Sequence, residues 1–135
     1  MTNLIPIKFI YSDAGRSTSK RSKQRNDCVI RSIALAFNQS YDDIYDRMKE
    51  MGRECGRGTQ KVIWQEWLNT QTKKISFPAI KGQPRMFLKK LINEYNCGIY
   101  LIHTAKHLTV CKNGIIYDTS YPDENKCVYN IWLII

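Results

Sequence analysis

Near residue 96 the chain changes its hydrophobic period. Up to that point apolar residues recur at helical spacing. Beyond it, "CGIYLIHT", "HLTVCK", "GIIYDTS" and "CVYNIWLII" are rich in Ile, Val and Tyr and are bounded by turn residues. Such runs suit strands, whose successive side chains point to opposite faces. Between the second and third, Lys112–Asn113–Gly114 reads as a tight hairpin turn. Helices followed by antiparallel strands define an α+β layout. The expected division is a strand and basic segment over 1–25, a mainly helical part over 26–95 and a mainly β part over 96–135. With 135 residues, one core and one domain are expected.

In the helical part, Val29, Ile30, Ile33, Ala34 and Phe37 give the i, i+3, i+4 pattern of an amphipathic helix, with Asn26 and Asp27 as N-cap types. Ser40 caps a second helix, "YDDIYDRMKEMG", with Asp42 and Asp43 in its first turn and Gly52 as its stop. Thr59 opens a third, "QKVIWQEWLNT", in which Val62, Ile63 and Trp67 share a face. Gly82 and Pro84 precede a fourth, "RMFLKKLINEY". At the start, "LIPIKFIY" predicts an edge strand, since Pro6 cannot donate to a central ladder.

Composition narrows the function classes. The apolar and charged fractions, 43% and 24%, are those of ordinary soluble domains. No run approaches the roughly 18 apolar residues of a membrane span, so no membrane partner is expected. The opening "MTNLIPIKFIYSDAG" lacks a basic n-region, and Pro6 and Lys8 interrupt its apolar run, so a cytoplasmic protein is expected rather than a secreted one. The five cysteines are scattered without a CxxC pair and are expected to be reduced thiols, not a disulfide framework or zinc ribbon. The net charge is +9, and "RSTSKRSKQR" (16–25) carries Arg16, Lys20, Arg21, Lys23 and Arg25 without an acid. That tract is either a solvated basic segment or a grip for nucleic acid or an acidic protein surface.

Cys28 falls in the first turn of the expected helix, where unpaired N–H groups and the positive dipole end favour a thiolate. A small buried thiol would suit the same position. The two histidines, His103 and His107, lie in the strand region. His107 opens one strand of the expected hairpin and Asp118 ends the other, which brings the two near each other. A thiol, an imidazole and a carboxylate are the parts of nucleophilic acyl chemistry. His103 is expected to end its strand near the surface. A zinc site from His103, His107 and Cys111 would need a helix, and the turn-bounded, β-branched sequence argues for strands; no metal or cofactor is expected. The pairs Trp64 with Trp67 and Tyr129 with Trp132 are read as core rather than as a base-stacking platform.

The local sequences add specificity. "NDCVIRSIALAFNQSYDDIYD" resembles the nucleophile helix of small, single-domain papain-like cysteine peptidases of phages and bacteria. "KHLTVCKNGIIYDTS" is similar to their histidine strand, turn and acidic strand. "GRGTQKVIWQEWL" matches a Gly-Thr before the third helix, and "CVYNIWLI" a closing Tyr-x-x-Trp strand. The resemblance covers residues 26–134. It implies a papain-like fold, with helices carrying Cys28 packed on an antiparallel sheet carrying His107 and Asp118. It also implies Cys28 as nucleophile, His107 as general acid and base, and Asp118 as the orienting residue. In the family a glutamine about six residues before the nucleophile commonly donates to the oxyanion. Here that position is Ser22, which leaves Gln24 and Asn26 as candidate donors.

The function expected on this basis is hydrolysis of a peptide or isopeptide bond through a thioester on Cys28, with transfer to an amine as a variant. The substrate would be a protein or peptide, a host protein and the host cytoplasm if the chain is phage-encoded. The rival expectation is a weak or inactive scaffold that binds a host protein or nucleic acid, since fold does not fix function. Loops 53–58 and 119–126 are the expected recognition elements.

Overall fold

The computed structural model describes residues 4–134. Residues 1–3 of the expected N-terminal segment, and Ile135 of the expected closing strand, lie outside them. In chain order the elements are β1 (Lys8–Tyr11), a 3₁₀ turn (Arg16–Thr18), α1 (Cys28–Phe37), α2 (Tyr41–Glu50), α3 (Lys61–Gln71), β2 (Lys73–Ser76), α4 (Leu88–Glu94), β3 (Ile99–Thr104), β4 (His107–Lys112), β5 (Ile115–Asp118) and β6 (Asn130–Ile134). The architecture is α+β, with four α-helices and one six-stranded sheet ordered β1-β5-β4-β3-β6-β2.

Local chemistry accounts for several boundaries. Ser40 caps α2 by accepting from the Asp43 N–H. Asn113 and Gly114 both have positive φ, 49° and 81°, as a two-residue hairpin between β4 and β5 requires. Among the described residues no helix is long and apolar enough to cross a membrane.

Alternation along the strands sorts the core into two layers. Leu101, Leu108, Val110 and Trp132 face α1, α2 and α3, packing against Ile30, Ile33, Ile44, Met48, Trp64 and Leu68. Tyr100, Ile102, Cys111, Ile116 and Ile131 face the other way, toward Ile7 and the α4 residues Leu88, Leu91 and Ile92. The sheet is thus covered on both sides, which a strictly one-sided α+β arrangement would not need.

Four expectations are corrected. The sheet is mixed, not wholly antiparallel: β1 runs parallel to β5 along the outer edge. The part read as helical contains a strand, β2, whose four largely exposed residues pair antiparallel with β6. Helix α3 starts at Lys61 with Gln60 as its N-cap, so Thr59 does not open it. It buries Trp64 and Leu68, an i, i+4 pair on one face, while Val62 is 58% exposed. Finally, α4 begins at Leu88, because Phe87 is held extended by a bridge to Cys127 and Met86 accepts from the Val128 N–H.

Candidate active site

Helix α1 begins at Cys28, directly after Asp27. Asp27 is an N-cap type, yet its carboxylate makes no capping hydrogen bond. It is buried and turned to three other donors: Arg31 Nε at 3.0 Å, Arg16 Nη1 at 3.1 Å and the Tyr41 hydroxyl at 2.6 Å. The first turn of α1 therefore keeps N–H groups that Asp27 leaves uncapped, and Cys28 and Val29 line a cleft of about 500 Å³. Burial opposes the charge on Asp27, but Tyr41 and the two arginines outweigh it and hold its pKa below the usual carboxylate value.

On the sheet side, His107 is the first residue of β4. The β4–β5 register pairs Val110 with Tyr117, so one step further opposes Asp118 to Thr109 and makes His107 its diagonal neighbour. His107 Nε2 lies 2.7 Å from Asp118 Oδ2. The other oxygen of Asp118 accepts from Arg31 Nη1 at 2.9 Å and from the Thr119 N–H at 2.7 Å. With Nε2 committed to Asp118, Nδ1 is the nitrogen left to face Cys28.

The electrostatics fit a charged pair. Hydrogen bonds with Asp118 and with Cys28 raise the His107 pKa from its ordinary 6.5 to about 9, against the pull of burial. Burial opposes ionisation of Cys28, but the His107 hydrogen bond and charge, a hydrogen bond with the Leu108 backbone and the Arg31 charge bring its pKa below the ordinary thiol value. Asp118, although buried, is held at about 2 by His107 and by the Thr119 N–H. The shifts of Cys28 and His107 run in the directions that favour a thiolate–imidazolium pair beside the Asp118 carboxylate.

Two residues not singled out from the sequence hold this arrangement. Arg31, one turn after Asp27, joins the buried Asp27 to the buried Asp118 and also donates to Thr119 Oγ1 at 3.0 Å. Ser32 donates to the Leu108 carbonyl at 2.7 Å, fastening α1 to β4 beside the His107–Cys28 contact. Helical spacing from Cys28 puts both one turn into the helix, but nothing local names their partners.

The two candidate oxyanion donors separate. Asn26 lines the cleft, with positive φ of 53° and its Nδ2 donating to the Gly56 carbonyl at 3.0 Å. Gln24 does not line it. Its amide is taken up by the 53–56 loop: Nε2 donates to Cys55 Sγ at 3.1 Å, and Oε1 accepts from the Gly56 N–H at 3.2 Å. Gly58 and Thr59, in the Gly-Thr before α3, form part of the cleft wall.

His103 is 5% exposed, not near the surface as expected, because Trp64 of α3, Trp132 of β6 and Tyr129 just before β6 cover it. Trp64 and Trp132 are core residues packed edge to face at 5.3 Å. All five cysteines are free, and Cys111 is buried in the layer beneath α4. The basic segment is folded. Arg16 pairs with Asp27 and Arg21 with Asp42 and Asp46, which leaves Lys20, Lys23 and Arg25 without an ion pair among the described residues.

Comparison with protein-family models, with curated proteins and with solved structures finds no match to this chain.

Proposed function

We propose that the protein is a papain-like thiol hydrolase that cleaves a peptide or isopeptide amide through a thioester on Cys28. The observation that carries this reading is the 2.7 Å Nε2–Oδ2 hydrogen bond between His107 and Asp118, with His107 lining the same cleft as Cys28 at an uncapped helix start.

The Cys28 thiolate attacks the carbonyl carbon, forming a C–S bond and a tetrahedral oxyanion. The Cys28 backbone N–H, with Asn26 as the side-chain candidate beside it, faces the position where that charge develops. His107 gives its Nδ1 proton to the leaving amine as the C–N bond breaks. The neutral imidazole then takes a proton from water, which attacks the thioester and releases the acid. Asp118 fixes the ring through Nε2 and stabilises its charge, and Arg31 holds Asp118.

The test is exposure of a proteome-derived peptide library to the protein and to Cys28→Ala, with new termini read by mass spectrometry. Cleavage confined to the unsubstituted protein is expected. Equal cleavage by both would overturn the reading. Absence of cleavage by either would favour a binding scaffold.

A further inference from the structure

The substrate side of the cleft has a polar group that the triad does not use. Ser76 on β2, Asn130 on β6 and His103 on β3 stand in one row across the three strands, because the registers pair Ser76 with Asn130 and Asn130 with His103. The Ser76 hydroxyl donates to Asn130 Oδ1 at 2.9 Å. That fixes the amide, so Asn130 Nδ2 is the group 3.2 Å from His103 Nδ1 and donates to it. A ring nitrogen that accepts carries no proton, so neutral His103 bears its hydrogen on Nε2. Burial, with Lys61 and Lys74 nearby, lowers the His103 pKa to about 4 and keeps the ring neutral. Nε2–H finds no acceptor atom among the described residues, and His103 lines the cleft that holds Cys28 and His107.

The charges around this donor have one sign. Lys61 and Lys106 line the same cleft, are exposed and have no ion pair among the described residues. The one acid in the lining, Asp27, is already held by Arg16, Arg31 and Tyr41. Trp64 supplies an apolar wall. An unpartnered donor on a mostly buried ring, open to the cleft beside two unpaired ammonium groups and an indole, matches a short aliphatic chain ending in a carboxylate.

We infer that this cleft is a subsite for an acidic residue next to the scissile amide: the Asp or Glu carboxylate accepts from His103 Nε2–H and pairs with Lys61 and Lys106, while its methylenes lie on Trp64. The inference rests on the thiol-hydrolase reading and names its substrate class, a peptide acidic at the first or second residue on the carbonyl side of the bond cleaved.

The test uses peptidyl fluoromethyl ketones that differ only by Glu or its neutral isostere Gln, at the first or second residue from the ketone, with the Cys28 adduct followed by mass. A Glu/Gln rate ratio of about ten at one position is expected, the size of one charge-assisted hydrogen bond. The ratio should fall toward one in the Lys61→Gln/Lys106→Gln protein, whose changes are on exposed residues, and as salt is raised. His103→Phe, which keeps the ring packing and removes the donor, should lower it as well. Iodoacetamide, which needs no subsite, separates the two levels of the argument. If it labels Cys28 preferentially while the Glu/Gln ratios stay within about twofold at both positions, the acidic subsite is wrong and the hydrolase reading stands. If Cys28 reacts with neither reagent, both fall.

Discussion

Arg31 Nη1 lies 2.9 Å from Asp118 Oδ1, the carboxylate oxygen that His107 does not use. The same guanidinium reaches Asp27 Oδ1 through Nε at 3.0 Å. The start of α1 and the acidic end of β5 are therefore tied by one planar group. The donors of a guanidinium are set at fixed angles, so it sets direction as well as charge.

Removing that group leaves two buried carboxylates short of a cation. Arg31→Met should lower the unfolding free energy by about 3–5 kcal/mol, the usual cost of breaking a buried ion pair from one side. Urea denaturation would measure it. Arg31→Lys keeps the charge and loses the fork, so its stability should fall between the two.

The pH dependence follows from opposite shifts. Hydrolysis should rise as Cys28 ionises below the ordinary thiol range and fall as the His107 imidazolium loses its proton near pH 9. Stability has two edges. The His107 pKa is raised in the folded protein, so its contribution is full below pH 6.5 and is lost as pH rises through about 9. The Asp118 pKa is depressed, so its contribution is present above pH 3.8 and is lost as pH falls through about 2. Denaturation midpoints across the pH range would trace both edges.

Ser32 anchors the helix to the strand that carries His107. Ser32→Ala leaves the Leu108 carbonyl without that donor and should cost about 1–3 kcal/mol. Because Leu108 and His107 both act on the thiol, the Cys28 pKa should rise in the same variant. Denaturation and thiol titration, run side by side, would measure the two effects.

Gln24 belongs to the 53–56 loop. Gln24→Leu removes the Nε2 donor to Cys55, the largest influence lowering that thiol's pKa, so Cys55 should alkylate more slowly near neutral pH. Peptide mapping after an iodoacetamide pulse would show it.

What could be read from the sequence was short in range. The Asn113–Gly114 hairpin, the Ser40 cap and the helix from Cys28 each depend on a few neighbouring residues. The approach of His107 to Asp118 then follows from a two-residue turn. Arg31 and Ser32 were invisible because their partners lie 87 and 76 residues away, and a polar residue in a helix reads as solvent-facing until the sheet arrives. Strand β2 is hidden for a similar reason: "KKIS" has no periodicity of its own and is a strand through pairing with β6. Without β2 the Ser76–Asn130–His103 row has no visible partner strand, and His103 reads as a surface residue. Asp27 was placed at the helix start, but its type suggested a cap where the fold uses it as an anion for Arg31.

The most direct measurement is the alkylation rate of each cysteine against pH, by peptide mapping after a limiting iodoacetamide pulse, in the native protein and in His107→Ala. Cys55 is exposed, and its thiol pKa is also lowered, by Gln24 and Tyr45, which makes it the internal control. The expected result is a Cys28 profile with its midpoint well below the ordinary thiol value of about 8.5, moving up in His107→Ala while that of Cys55 stays in place. A Cys28 profile like that of buried Cys111, or one indifferent to loss of the imidazole, would contradict the thiolate–imidazolium pair on which the proposed chemistry depends.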